Sequence, residues 1–464
     1  MNWTVAKIVE ATSGTLLQGR PDQSLAGIST DTRQIHPSDC FVALVGERTD
    51  GHEFLPEALT KGAGALVIAR SRATPALIAP GEAAVVAVPD TLYALGELAR
   101  YWRRAHSIPV VAVTGSNGKT TSKEMVAAVL GENREILKTQ GNFNNLIGLP
   151  LTLLALEPRH RTAVVEMGIN VPGEMARLLE IARPTVGLIT NVQPAHLEGL
   201  ISLDEIVREK GQLWLSLGPE DLAVVNLDDE RLATLLPALP SRIVTYSMTQ
   251  AKADVRVTGE VATLEGTCSF TIGLGNQSVA VSLPILGLHH VMNALSAAAV
   301  GWGMGLSPST IAAGLATYRP VKMRMQRHRL ADGRTLIDDT YNANPGSMLA
   351  ALRTVAAASG GKPVVAVLGD MRELGPASAD LHREVGRQLA ELGVRQLITL
   401  GRMTRELADG AREAGLPASA HRHTESHDQI IAWLKDQPVE ESWILIKGSR
   451  SMAMDRVVEG MLSK

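Results

Sequence analysis

Pro109-Val-Val-Ala-Val-Thr-Gly-Ser-Asn-Gly-Lys-Thr-Thr121 runs from an apolar stretch into a Gly-rich loop, and Ser122-Lys-Glu-Met-Val-Ala-Ala-Val-Leu130 follows it. Met125, Val126, Val129 and Leu130 share one helical face, so the segment reads as strand, loop and helix. Such a unit aims several backbone N–H groups and the positive end of a helix dipole at one point, where a triphosphate fits. Gly118 would let the backbone approach the phosphates, Lys119 would reach the β and γ oxygens, and the Thr120 hydroxyl would be free to ligate Mg²⁺. Val113 holds the first glycine position of the general phosphate-loop pattern, and Gly115 comes two residues later. A chance Gly-Lys-Thr in a surface turn is the plain alternative, and the flanking strand and helix argue against it.

Further strands follow on the C-terminal side: Thr162-Ala-Val-Val-Glu166, Val186-Gly-Leu-Ile-Thr190 and Leu222-Ala-Val-Val-Asn226, separated by helical stretches. This alternation predicts an α/β protein with parallel strands and crossover helices. A second series, Pro363-Val-Val-Ala-Val-Leu368, Gln396-Leu-Ile-Thr-Leu400 and Trp443-Ile-Leu-Ile-Lys447, predicts a separate doubly wound, Rossmann-like domain. Between the two series, Ala253 to Leu283 alternates apolar and polar residues at a period of two, which predicts an antiparallel ribbon. The first stretch, with Phe41-Val-Ala-Leu-Val45 and Gly64-Ala-Leu-Val-Ile68, predicts a smaller α/β domain. Boundaries near Ala84 and Tyr318 give three expected domains, 1–84, 85–318 and 319–464.

Composition agrees with this size class, since 464 residues exceed one core of roughly 150 residues. With 45 Lys and Arg against 48 Asp and Glu, the net charge of -3 gives no general attraction for nucleic acid or an anionic membrane. Any polyanion must be met by a local site. The N-terminal residues lack a secretory pattern, and Val291 to Leu306 is shorter than the ~20 residues that span a bilayer, so it reads as a buried helix. A cytoplasmic monomer without nucleic-acid or membrane partners is expected. Cys40 and Cys268 lie far apart and read as buried, reduced thiols.

Thr114-Gly-Ser-Asn-Gly-Lys-Thr-Thr121 resembles the nucleotide loop of the Mur ligases, ATP-dependent amide-forming enzymes of peptidoglycan precursor synthesis. Further motifs similar to that family come in its order: Glu166-Met-Gly168, Asn191-Val-Gln-Pro-Ala-His-Leu-Glu-Gly199, Glu209-Lys-Gly211, His289-His-Val-Met-Asn-Ala294 and Asp338-Asp-Thr-Tyr-Asn-Ala-Asn-Pro345. The resemblance implies ATP contacts from Thr114, Gly115, Ser116, Asn117, Gly118, Lys119, Thr120, Thr121, Asn293, Arg324 and Asp339. It also implies two magnesium sites served by Thr120, Glu166, His196 and a Lys210 carbamylated by CO₂, with Lys119, His196, Lys210 and Arg324 carrying the chemistry.

Read without the family, several of these residues have plainer roles. His196 at a strand end would be a hydrogen-bonded structural residue, Lys210 one of many solvated lysines, and Asn293 a bridge between helices. Magnesium prefers oxygen ligands, so the histidine draws its support from the resemblance alone. The family usually places a glycine before the arginine matched by Arg324; here Met323 stands there, within a run that also offers Lys322, Arg327 and Arg329. The glutamate usual two positions after the carbamylated lysine is Gln212 here.

Other segments resemble the branch of the family that adds D-alanyl-D-alanine to UDP-N-acetylmuramoyl-tripeptide: Gly141-Asn-Phe-Asn-Asn-Leu-Ile-Gly-Leu-Pro150, Tyr341-Asn-Ala-Asn-Pro345, Gly369-Asp-Met-Arg-Glu-Leu-Gly375 and Lys447-Gly-Ser-Arg450. By that resemblance Asn142, Asn145, Tyr341, Asn342, Asn344, Lys447, Ser449 and Arg450 contact substrate, and Thr30, Asp31, Thr32 and Arg33 lie at the uridine-nucleotide end, in the N-terminal domain. By residue type alone, Thr30 to Arg33 is a polar turn and Lys447 to Arg450 a capped strand end. The rival functions are a sister ligase, a folylpolyglutamate-type ligase and a nucleotide switch. ATP contacts on both sides of Tyr318 imply domain closure about a hinge near Gly314 to Val321.

Overall fold

The computed structural model describes residues 2–46, 49–74, 83–194, 198, 202–264, 266–436 and 438–463. Its contacts group into two compact units, one of residues 1–112, 134–169 and 173–185, the other of residues 113–133, 170–172 and 186–464.

In the first unit, strands β1 (Thr15–Gln18), β2 (Ile28–Ser29), β3 (Cys40–Val42), β4 (Ala65–Ala69) and β5 (Ala84–Val88) form a sheet in the order β1-β5-β4-β3-β2. β1 is antiparallel to β5 and the remaining pairs are parallel. Alternate residues Phe41, Leu66, Ile68, Val85 and Ala87 bury one face against Leu55 and Ala58, as the period of two requires. Helix α1 (Thr91–Arg104) starts where the Asp90 carboxylate accepts the Tyr93 amide at 2.9 Å. The strand β6 (Val110–Thr114) begins in this unit, which also holds the parallel pair β7 (Ile136–Lys138) and β8 (Thr162–Glu166).

In the second unit, β6 ends in the phosphate-loop sequence and α2 (Lys119–Gly131) follows. Strands β9 (Val186–Ile189), β10 (Leu222–Asn226) and β11 (Arg242–Ser247) run parallel, and β12 (Val255–Leu264) extends them in parallel. β13 (Thr267–Leu274) and β14 (Gln277–Leu283) then add antiparallel pairs, so the period-two stretch is an antiparallel ribbon on the edge of a parallel ladder. Helices α3 (Leu203–Leu215) and α4 (Leu288–Gly303) belong to this part, and α4 is the apolar helix expected from Val291 onward.

The C-terminal sheet has the order β15-β16-β20-β17-β18-β19, from Gln326–Arg329, Thr335–Asp339, Val364–Gly369, Gln396–Leu400, His421–Thr424 and Trp443–Lys447 numbered β15 to β20 along the chain. Only β15 pairs antiparallel. The inner strands β17, β18 and β20 are mostly apolar because both faces are covered, whereas the edge strands β15 and β19 are polar and half-exposed. Ala366, Leu368, Leu397 and Leu445 pack with Met348, Leu352 and Val355 of α5 (Pro345–Ala358), Val385 and Leu389 of α6 (Ser378–Glu391) and Leu407 of α7 (Thr404–Glu413). Val365, Val367, Ile398, Ile444 and Ile446 pack on the other side with Ile430 and Leu434 of α8 (His427–Asp436) and Val457, Val458 and Met461 of α9 (Asp455–Leu462). This is the doubly wound arrangement, and it presents the C-terminal strand ends Asp339 and Lys447 side by side. Among the described residues, no helix is long and apolar enough to cross a membrane.

Candidate active site at the nucleotide loop

Gly115 and Gly118 set the shape of the loop after β6. Both have left-handed backbone, φ +141° and +77°; a Cβ on Gly115 would lie 2.0 Å from Thr190 Oγ1, and one on Gly118 2.5 Å from Asn293 Oδ1. Hydrogen bonds from the end of β9 then fix the loop. The Asn117 amide donates to Asn191 Oδ1 at 3.0 Å, Asn191 Nδ2 returns a bond to Asn117 O at 3.1 Å, and the Ser116 amide donates to Asn191 O at 2.9 Å. Thr190 Oγ1 donates to Asn117 O at 2.6 Å, and Asn117 Nδ2 to Gln193 Oε1 at 2.7 Å. Lys119 opens α2, and its Nζ folds back onto Gly115 O at 2.8 Å and Ser116 O at 3.4 Å. The loop is thereby a preformed cradle with an ammonium across it and a helix N-terminus behind it.

Asn293 is 5% exposed on α4, and its Oδ1 accepts the Ser122 hydroxyl at 3.2 Å, while Ser296 Oγ donates to Ser122 Oγ at 3.1 Å. It is a bridge between α4 and α2, placed against the loop glycine. Lys210 on α3 is 1% exposed, so it is not a solvated lysine. Burial pushes its ammonium well below the usual lysine range, and the charge of Lys119 pushes in the same direction.

The segment after Tyr318 reaches the loop at two points. Arg324 NH2 donates to Thr120 Oγ1 at 2.9 Å, and Asn344 Nδ2 donates to Asn117 Oδ1 at 2.7 Å. Asn344 also caps α5, its Oδ1 accepting the Ser347 amide at 2.9 Å. Of the four basic residues in the run, Arg324 makes the Thr120 contact; Arg329 turns to Thr335 Oγ1 at 3.2 Å and Arg327 lies 5.4 Å from the Trp443 ring centre. Met323 has φ +62°, a conformation that a glycine enters freely and a methionine rarely. Asp339 Oδ1 accepts the Met325 amide at 3.1 Å and Oδ2 accepts the buried Lys447 Nζ at 2.6 Å, with Lys447 also donating to Asn342 O at 2.9 Å. Ser449 Oγ donates to Ala343 O at 3.2 Å, and Arg450 pairs with Asp455 at 3.0 Å.

In the first unit, Glu166 closes β8 with 2% exposure. Asn144 Nδ2 donates to its Oε1 at 2.8 Å, and its Oε2 is buried without a partner. A buried carboxylate oxygen with no donor is the ligand type a hard cation takes, so this residue fits magnesium. Thr120 fits too, since a hydroxyl oxygen that accepts one hydrogen bond keeps a second lone pair. Among the described residues no cluster of three or more His, Cys, Asp or Glu side chains stands ready for a metal, and His196 lies outside the described residues. Asn145 caps a helical turn through the Gly148 amide at 2.9 Å, and Asn142 is exposed. At the N-terminal end, Asp31 accepts Arg33 Nε at 2.9 Å and NH2 at 2.7 Å, which holds its carboxyl below the usual range; Thr30 is half-buried and Lys61 Nζ donates to Thr32 O at 2.9 Å.

Three sequence families tile the chain in order: Mur ligase family, catalytic domain, over residues 24–103; Mur ligase middle domain over 113–301; and Mur ligase, glutamate ligase domain over 323–450. The UDP-N-acetylmuramoyl-tripeptide--D-alanyl-D-alanine ligase of Escherichia coli strain K12 is 38% identical across 99% of this chain and 98% of its own length. The chain belongs to the Mur ligase family. A crystal structure of MurF from Acinetobacter baumannii superposes with a TM-score of 0.90 at 32% identity, covering 100% of this chain and 99% of that one. MurF from Thermotoga maritima, solved in complex with ADP, gives 0.82 at 26% identity over 94% of this chain and 96% of that one. The α/β, three-domain Mur ligase architecture expected from the strand pattern is therefore the architecture of this chain.

Some residues that make contacts in this Mur ligase had no role assigned from the sequence. Thr190, Asn191 and Gln193 hold the loop, and their signal is the Asn-Val-Gln stretch that follows an apolar strand. Asn144, which touches Glu166, sits between Asn142 and Asn145, and residue type could not choose among three asparagines so close together.

Proposed function

We infer that this chain is an ATP-dependent peptide ligase that joins D-alanyl-D-alanine to UDP-N-acetylmuramoyl-tripeptide, giving UDP-N-acetylmuramoyl-pentapeptide, ADP and phosphate in peptidoglycan precursor synthesis. The observation that carries this reading is the phosphate-type loop met by Arg324 and Asn344 from the segment after Tyr318, in a chain similar to such ligases over its whole length. The tripeptide carboxylate attacks the ATP γ-phosphorus, its oxygen forming a new P–O bond as the bond to ADP breaks. The dipeptide amine then attacks the acyl carbon, phosphate leaves with the C–O electron pair, and the amine releases a proton to solvent or buffer. Lys119 and Arg324 neutralise charge that builds on the transferring phosphoryl group, from positions already fixed by the loop carbonyls and Thr120.

The nucleotide is assigned to Thr114 through Thr121 with Asn293, Arg324 and Asp339, and cation ligation to Glu166, His196, Thr120 and a carbamylated Lys210. Bound magnesium would supply positive charge to the phosphate oxygens. The buried, unpartnered Glu166 Oε2 and the burial of Lys210 support this part of the reading. Thr30 to Arg33, Asn142, Asn145, Asn342, Asn344, Lys447, Ser449 and Arg450 are assigned to the substrates, with domains at 1–84, 85–318 and 319–464. The protein is read as a cytoplasmic monomer without nucleic-acid or membrane partners. Phosphate release from ATP, measured with UDP-N-acetylmuramoyl-tripeptide and each of D-alanyl-D-alanine, meso-diaminopimelate, L-lysine and glutamate, tests the assignment. Release should require both the tripeptide and D-alanyl-D-alanine; release driven by another acceptor, or by neither, would overturn it.

A further inference from the structure

We propose that Tyr341 is a positioning residue for Arg324, holding the guanidinium at the nucleotide loop through the face of its ring, rather than a substrate contact. The inference rests on the nucleotide assignment above. Arg324 leaves the backbone on a turn whose neighbours, Met323 and Met325, both have left-handed φ, +62° and +50°. Two bonds pin that turn from the end of β16: the Tyr341 amide donates to Met323 O at 3.1 Å, and the Met325 amide to Asp339 Oδ1 at 3.1 Å. The same tyrosine that clamps the turn sets its ring 4.0 Å from the Arg324 guanidinium carbon, a cation–π distance.

The guanidinium is thus held on its face by the ring and on one edge by Thr120 Oγ1 at 2.9 Å, while its Nε is buried with no partner. An orphaned N–H on a fixed guanidinium is costly to leave unmet unless a ligand oxygen takes it. A phosphate oxygen at the adjacent loop is such an acceptor, and stacking removes the rotational freedom the arginine would otherwise lose on meeting it. The useful part of Tyr341 is then its π-face, not its hydroxyl.

The test is a set of variants at this position in the full-length protein, read by direct binding of a non-hydrolysable ATP analogue and by steady-state kinetics for each of the three substrates. Tyr341→Leu should weaken the analogue and lower kcat/KM for ATP by roughly 3- to 30-fold, the span of a partly desolvated cation–π contact, with KM for the UDP substrate and the dipeptide moved less than about 2-fold. Tyr341→Phe should recover most of that loss, and progressively fluorinated phenylalanines, which keep the ring's shape while draining its face of charge, should lose affinity in step. In an Arg324→Ala background Tyr341→Leu should cost nothing further. A Phe variant as impaired as Leu, a flat fluorination series, or a loss confined to KM for the UDP substrate or dipeptide would each overturn the proposal. Should the wild type bind the analogue yet release no phosphate with the two acceptors, the ligase assignment fails while the affinity ranking still decides the role of Tyr341.

Discussion

Substituting Gly118→Ala perturbs the nucleotide loop at the point where the backbone and α4 come closest. An alanine held at φ +77° carries a left-handed penalty of about 1–2 kcal/mol. Its Cβ would also lie 2.5 Å from Asn293 Oδ1, so the amide must turn away and give up the Ser122 hydroxyl it accepts at 3.2 Å. Stranding that buried pair costs a further ~1–3 kcal/mol. A loss of roughly 2–5 kcal/mol leaves a protein of ordinary stability folded but weakened, and a loop displaced by part of an ångström should lose on the order of 100-fold in ligation rate. Urea unfolding and ATP-dependent phosphate release measure the two effects. The double variant Gly118→Ala/Asn293→Ala removes the collision but keeps the backbone strain, so it should cost less than the sum of the single changes. A Gly118→Ala protein within about 0.5 kcal/mol of wild type, or strict additivity with Asn293→Ala, would refute this account of the loop.

Lys447→Met leaves the Asp339 carboxylate beside a buried methionine, and losing one partner of so enclosed a pair should lower the free energy of unfolding by about 3–5 kcal/mol; the Asp339→Asn/Lys447→Met double variant should recover part of this, and equal melting curves for Lys447→Met and wild type would exclude it. Lys210→Ala should be nearly inactive and partly restored by short-chain carboxylates, and intact-protein mass spectrometry under CO₂ should find the adduct on wild type alone. Because burial and Lys119 depress the Lys210 ammonium, its amine is already neutral at pH values where a free lysine is charged; the carbamate should form at lower pH than on a free lysine and vanish as pH falls through that lowered pKa. Absence of both rescue and adduct would end the carbamate assignment.

The sequence made the inner strands legible because a strand buried on both faces is an almost unbroken apolar run, while the polar edge strands Gln326–Arg329 and His421–Thr424 gave no such signal. Val364–Gly369 and Trp443–Lys447 lie within a residue of the apolar runs that announced them. The loop was legible for a related reason, since glycines at fixed spacing between a strand and a helix leave few conformations open. Contacts made by strand order were not. Thr190 reaches Asn117 because the end of β9 lies beside the loop, and nothing in the local pattern at either place encodes that neighbourhood. Arg324 and Thr120 are 204 positions apart, and the choice of Arg324 over Arg327 or Arg329 depends on a left-handed Met323 that no propensity would assign to methionine.

The expectation of closure about Gly314 to Val321 takes a more specific form from these contacts. Arg324 and Asn344 already bond to the loop, and residues 319–464 lie in the same compact unit as the loop and α2. The energetic question at the nucleotide site is therefore one of charge. Lys119 lies across the loop, Arg324 stands at Thr120, and Lys210 is pushed toward its neutral form partly by Lys119. Cations gathered at one loop repel one another, and an anionic triphosphate relieves that repulsion, so part of its binding energy is stored in the fold before it arrives. Carbamylation of Lys210 would act in the opposite sense, replacing a potential third cation with an anion that can attract a metal ion. The depressed pKa of Lys210 ties the two roles together, because burial first, and then the same repulsion that favours the phosphates, pushes the lysine toward the neutral amine, the form that reacts with CO₂.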